Sequence, residues 1–477
     1  MNDIINQAYT YYQNKSLSDL NKLLYDNLDR LRELQLEEEQ LLYEIDDKLE
    51  DNIENLYFYL ENIDTSNVLQ LSLLRLILVH LMMKSSSIVL DAKKEMNLLT
   101  NDNYDVYKLK YYVFVASNEE LLRLYVIYLF FFIKQAQLAE EQEIVCIDFE
   151  YTMQKNELTQ FAFEGQYTPN VFIWLVKQEE LPKNDWQYVI DELFLNERVT
   201  KIIHGSDSKD MPFIQDKLLG NDIPKIIKFI HQTVDTRFPC EYYKIVHGDL
   251  ANKCSLYDAL EYFAVMSKEQ RELYDQNHAN MGPVADIAWN IHSLGKAQTI
   301  YAVGDVLYLK QFYYKMLRLA RETKEDQQEL YTGLLKELVQ FCYLERKGIS
   351  TLVADCKKEI DPINNYMVRG KNGPATLINI YNQVSIGIII PKPLYDLDKL
   401  LSVNWFKTPL TTIFKKLVYT IISHLYEIKK DKLTSYRDKL SIKFVFDYLD
   451  EQKFISIKQL LEQYIAIVTT KIKSYLN

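Results

Sequence analysis

Four acidic residues and one tyrosine, in three separated pieces, have the types and spacing to do chemistry together. The pieces are Ile147-Asp148-Phe149-Glu150, His204-Gly205-Ser206 running on to Asp210, and Tyr301-Ala302-Val303-Gly304-Asp305. Asp148 and Glu150 are two apart in a β-prone run, so a strand puts both carboxylates on one face. Tyr301 and Asp305 are four apart in a helical pattern and share one side of a helix. Asp210 opens a predicted helix just after a predicted strand ending at His204. Carboxylates gathered in this way repel one another unless a cation neutralises them. Hard oxygen donors select Mg²⁺ or Mn²⁺. Two such ions about 4 Å apart can clamp the attacking and leaving oxygens of a phosphodiester displacement. A tyrosine hydroxyl beside them can orient the attacking water.

Each piece alone has an ordinary reading. Asp-x-Glu fits a solvated strand edge, and Tyr-x-x-x-Asp fits a surface helix pair. His204 fits a hydrogen-bonding residue at a strand end. Asp235 fits a helix cap, and Trp289 fits a core position. The set becomes specific only when the pieces occur in order on suitable elements.

The pattern around them supplies those elements. Glu143–Glu150, Leu158–Phe163 and Val171–Val176 are short apolar, β-prone runs between polar turns, and they predict a three-stranded meander. Trp186–Asn196 predicts a helix and Lys201–His204 another strand. Asp210–Leu219 predicts a helix ended by Gly220-Asn221. Ser255 is placed to cap a helix over Leu256–Val265, and Lys296–Glu322 is helical in its spacing. Strands alternating with helices predict an α/β domain with a mixed sheet and flanking helices.

At 477 residues the chain should hold two or three domains. Leucines from Leu17 to Leu34 recur at three- and four-residue steps, and residues 1–138 read as a mostly helical N-terminal domain. Residues 139–322 read as the α/β domain. Residues 323–477 read as a mostly helical C-terminal domain. The apolar runs Leu69–Met83 and Leu121–Ile133 are interrupted by charge and too short to span a bilayer, so they read as core. Nothing at Met1–Thr10 reads as a signal peptide. The five cysteines show no CxxC pair, which predicts neither a zinc site nor a disulfide framework and implies a reducing intracellular compartment. With 36 tyrosines and only 12 glycines and 11 prolines, the composition suits long helices and an AT-rich coding genome such as a viral or protist one.

The central third resembles the DEDD superfamily of 3′–5′ exonucleases, in particular the DEDDy branch that includes ribonuclease D. Asp148-Phe149-Glu150 matches the first motif. His204-Gly205-Ser206-Asp207 leads into the second, whose acid is best matched by Asp210, with Asp207 as the competitor. Asp235-Thr236 and Ser255-Leu256 match the segments that follow. Trp289, His292, Leu294, Gln298, Tyr301, Ala302 and Asp305 keep the register of the YA-x-x-D motif. His292-Ser293 departs from the Arg-Pro usual there, and no HRDC domain is recognisable after the nuclease. The resemblance implies a ribonuclease H-like fold between helical domains. It also implies a two-ion 3′–5′ exonuclease acting on RNA or single-stranded DNA. Asp148, Glu150, Asp210 and Asp305 would be its metal ligands, and Tyr301 would orient the water. The alternative is a nuclease-derived binding or scaffold protein, viral in one version, with a partner held by the N-terminal helices.

Charge bears on partners. The net charge of −12 argues against nonspecific nucleic-acid affinity over the whole surface. It is unevenly spread. Residues 1–60 carry five Lys or Arg against fourteen Asp or Glu, and residues 401–477 carry thirteen against seven. Lys429, Lys430, Lys432, Arg437, Lys439 and Lys443 are candidates to guide a nucleic-acid backbone.

Overall fold

The computed structural model describes residues 111–138, 142–152, 155–164, 171–206, 209–247, 254–322 and 335–344, with 450, 455, 458 and 459. The N-terminal leucine pattern, the run Leu69–Met83, Asp207 and the six basic candidates beyond residue 401 lie outside these residues. Contacts divide the chain into two compact units.

The first unit is built on a mixed sheet. Its strands are β1 (Tyr111–Ala116), β2 (Glu143–Thr152), β3 (Lys155–Glu164), β4 (Val171–Val176), β5 (Val199–Ile203) and β6 (Thr233–Asp235), whose last residue is counted in the second unit. Their order is β1-β4-β3-β2-β5-β6. β2, β3 and β4 form an antiparallel meander, as the three β-prone runs predict. β1 joins β4 in parallel, and β5 joins β2 in parallel. The central region is thus an α/β domain with a mixed sheet and flanking helices.

β1 corrects one expectation. Residues 111–116 fall in the stretch read as a helical N-terminal domain, yet they form an edge strand of the sheet. The reason is local: Tyr-Tyr-Val-Phe-Val-Ala is aromatic and β-branched, and such residues fit a pleated surface. The helix α1 (Glu119–Leu138) follows at once, with the Asn118 side chain accepting the Leu121 N–H. It is apolar nearly all round because nearly all of it is buried. Tyr125 lies 5.2 Å from Trp174 and 5.9 Å from Phe161, Tyr128 lies 4.8 Å from Phe172, and Phe132 lies 5.0 Å from Phe163. This aromatic layer fastens α1 to the sheet. Each such ring contributes roughly 1.5–3 kcal/mol through burial. Among the described residues, no helix is long and apolar enough to cross a membrane.

The remaining helices follow the sequence pattern only in part, because residues 223–231, 237–246 and 268–281 also form helices that it does not predict. α2 (Lys183–Tyr188) continues into a π-helical stretch, Val189–Phe194. α3 (Asp210–Phe213) continues into another, Ile214–Leu218. α4 (Ile223–His231), α5 (Arg237–Val246), α6 (Leu256–Tyr262) and α7 (Lys268–Met281) come next. The predicted helix over Lys296–Glu322 is two helices, α8 (Lys296–Leu307) and α9 (Leu309–Arg321), meeting at Tyr308. α10 is Leu335–Leu344. Ser255 sits at the N-cap of α6, but its hydroxyl bonds the Asp258 carboxylate instead of a backbone N–H.

The second unit takes in His204–Gln215, Asp235–Phe263 and the chain from Phe312. It overturns the reading of the cysteines. Cys240 on α5 and Cys254 just before α6 are joined by a disulfide, 14 residues apart in sequence. Spacing tests only for local motifs, and the fold brings together two buried cysteines that have none. The argument from cysteine spacing to a reducing compartment therefore fails.

Candidate metal centre

β2 and β3 build the first half of the site. Asp148 and Glu150 alternate with buried Ile147 and Phe149, so both acids stand on one face of β2. In register, Asp148 pairs with Gln160 and Glu150 with Leu158. The pairing then skips between Glu150 and Tyr151, a bulge that ends the regular ladder beside the acids. Asn156 closes it: its Nδ2 donates to the carbonyls of Glu150 (3.3 Å) and Leu158 (3.0 Å).

α8 brings the other half. Gly295 precedes the helix, its N–H donating to Gln298 Oε1 (2.7 Å), and Thr299 Oγ1 donates back to the Gly295 carbonyl (3.0 Å). From this start Tyr301 and Asp305 fall on one side, one turn apart. Tyr301 is half-buried among rings. His278 lies edge-on at 5.2 Å, Trp289 at 5.9 Å and Tyr274 at 6.1 Å. The Trp289 segment is tied to β2 through its N–H, which donates to Thr152 Oγ1 (3.1 Å). His292 reaches Glu180 (2.9 Å) and the Ser117 carbonyl (3.1 Å).

The two halves converge. Asp148, Glu150 and Asp305 each place a carboxylate oxygen within 4.8 Å of the other two. Glu150 and Asp305 are buried and Asp148 is half-buried. Burial, then the Asp305 charge, push the Asp148 carboxyl well above the ordinary range, against a backbone hydrogen bond from Phe149 that lowers it. The Asp305 charge, burial and the Glu150 and Asp148 charges all raise the Tyr301 phenol, and its hydroxyl hydrogen-bonds to Asp305. The phenol therefore stays protonated and acts as a donor. Ligands on opposite sides of Mg²⁺ stand about 4.2 Å apart. Three acids gathered on this scale could hold a metal ion.

His204, Asp210 and Asp235 belong to the second unit. Asp210 is half-buried at the start of α3. His204 lies between Thr236 Oγ1 (Nδ1, 2.9 Å) and the Cys254 carbonyl (Nε2, 3.1 Å). The carbonyl only accepts, so Nε2 carries the hydrogen. Burial lowers the ring's pKa to about 4, against the opposing pull of the Asp235 charge. Asp235 is a buried hub. It accepts from the N–H groups of Gly205 (2.8 Å), Ser206 (3.0 Å) and Arg237 (3.0 Å), from Ser206 Oγ (3.0 Å) and from the Tyr343 hydroxyl (2.6 Å). Gly205 has φ +71°, and this left-handed turn helps aim two successive N–H groups at one carboxylate.

No protein-family model matches the chain. Over 391 residues it is 37% identical to uncharacterized protein L533 of Acanthamoeba polyphaga mimivirus, an alignment covering 79% of this chain and 76% of that protein. The chain belongs to the L533 family. Two features of this L533-family chain escape the motif pattern. Gln160 is one. Its Nε2 donates to Glu150 Oε1 (3.0 Å) and, at longer range, to Asp148 Oδ2 (3.4 Å). An amide in the middle of the apolar run Leu158–Phe163 was the available signal. Tyr343 is the other, and no local pattern marks a tyrosine that meets Asp235 from 108 residues away.

Proposed function

We propose that this protein is a divalent-cation-dependent nuclease that removes nucleotides from the 3′ ends of single-stranded RNA or DNA. In this reading it belongs with the DEDDy, ribonuclease D-like exonucleases. The supporting observation is the convergence of Asp148, Glu150 and Asp305 within 4.8 Å, with the Tyr301 hydroxyl held against Asp305. Bound Mg²⁺ or Mn²⁺ would supply an activated water and neutralise charge on the leaving oxygen. Asp148, Glu150 and Asp305 would hold the cation. Tyr301, protonated and fixed by its neighbours, would orient the attacking water by a hydrogen bond. Sequence pattern alone assigns Asp210 as the fourth acid and the ligand of a second ion.

The test is incubation of the purified chain with 5′-labelled RNA and DNA oligonucleotides in Mg²⁺, Mn²⁺ or EDTA. A ladder shortening from the 3′ end in either cation is expected. Cleavage that persists in EDTA overturns the reading. Binding without cleavage in every cation would favour a nucleic-acid-binding or scaffold role.

A further inference from the structure

Gln160 is fully buried on β3, a strand hydrogen-bonded on both sides, opposite Asp148 on β2 and Leu175 on β4. Its backbone is therefore fixed by two ladders, and its side chain shares the face of the acids. The Nε2 group points at both carboxylates of β2. The Oε1 atom, also buried, has no hydrogen-bond partner. A buried acceptor left without a hydrogen bond is destabilising. The neighbours of Gln160 on the same face of β3, Leu158 and Ala162, are apolar and buried, so an apolar side chain suits this face. The amide's contribution thus lies at its nitrogen end. One planar NH₂ group with two hydrogens, aimed at two carboxylates, fixes where those carboxylates stand and offsets their mutual repulsion.

We propose that Gln160 is the positioning residue of the carboxylate cluster, holding Asp148 and Glu150 ready to receive the cation. This rests on the cation-site reading above. Gln160 itself is not a ligand in this proposal. It acts through the two acids, as outer-sphere hydrogen bonds do at metal centres.

The experiment is calorimetric titration of the full chain with MnCl₂, beside thermal melting in EDTA. Gln160→Met removes the NH₂ at similar volume, and Gln160→Asn keeps an amide too short to reach both acids. Each should weaken Mn²⁺ binding roughly 10- to 100-fold while the cation-free protein still folds, as a cooperative melt in EDTA would show. Excess Mn²⁺ should then restore cleavage to both variants. Wild-type Mn²⁺ affinity in either folded variant overturns the proposal. So does a loss of affinity that only tracks a loss of folding in both. Asp148→Asn separates the two readings. If wild type binds Mn²⁺ and Asp148→Asn does not, a silent Gln160 variant refutes the positioning role alone. If wild type binds no Mn²⁺, the cation site itself falls.

Discussion

Tyr301 and Asp305 stand one turn apart on α8, and the tyrosine hydroxyl donates its hydrogen bond to that carboxylate while Asp148 and Glu150 add their charge from β2. A phenol in such a place cannot ionise at neutral pH. It is a fixed donor at the edge of an acid cluster, suited to aim a water and unsuited to remove a proton from one.

Tyr301→Phe keeps the ring among His278, Trp289 and Tyr274 and deletes only the donor. Cleavage should slow by about 10²–10⁴-fold, the usual contribution of a well-placed orienting group. Mn²⁺ affinity should change far less. Single-turnover rates beside calorimetry would check this, and an undiminished rate would remove Tyr301 from the mechanism.

Asp148→Asn and Asp305→Asn each take one charge out of a repulsive, largely buried set. Without cation, both should melt higher than wild type, by roughly 2–8 °C for each kcal/mol of relieved repulsion. Both should also lose Mn²⁺ binding and cleavage. Melting curves in EDTA and in Mn²⁺ would show the order of stability reversing. If both variants melt lower in EDTA, the acids are holding the fold instead of straining it.

His204, in the second unit, carries a pH dependence of stability. Its folded pKa of about 4 lies below the ordinary value of 6.5. A depressed value means the unfolded chain takes up the proton first. The contribution is therefore present above about pH 6.5 and lost as pH falls toward 4. The loss should be on the order of 1–3 kcal/mol. His204→Asn should flatten the denaturation midpoint across that window relative to wild type, and a parallel pH profile would refute the buried neutral ring.

The Cys240–Cys254 bond closes a loop of about 14 residues. A loop of that size is stabilised by roughly 3 kcal/mol when cross-linked. Reductant should lower the midpoint of the transition that includes α5 and α6. Peptide mapping after alkylation should find both cysteines blocked until reduced. Their free alkylation without reductant would contradict the bond.

The sequence made the acids legible because strand and helix periodicity alone puts Asp148 with Glu150 and Tyr301 with Asp305. Strands β2, β3 and β4 were legible for the same reason. α7 was missed because Lys268–Met281 is polar over most of its length, and its capping box between Ser267 and Gln270 is its main mark. β1 was missed because six residues in a parallel edge strand look like any apolar segment until the partner, 60 residues on, is known. The disulfide and the Asp235–Tyr343 bond are long-range in the same sense. Gln160 differs from these. The register opposite Asp148 could have been counted once both strands were drawn.

The aromatic layer between α1 and the sheet also bears on how this protein can be divided or exchanged among relatives. A cut near residue 139, where composition alone would separate a helical module from a nuclease-like one, would strip β1 from β4. It would also uncover Phe161, Phe163, Phe172 and Trp174. The outcome would be an aggregating fragment and not a minimal domain. Recombination at that point would carry the carboxylate cluster away from the helix that keeps its sheet dry. β1, α1 and the acid-bearing strands thus form one structural block.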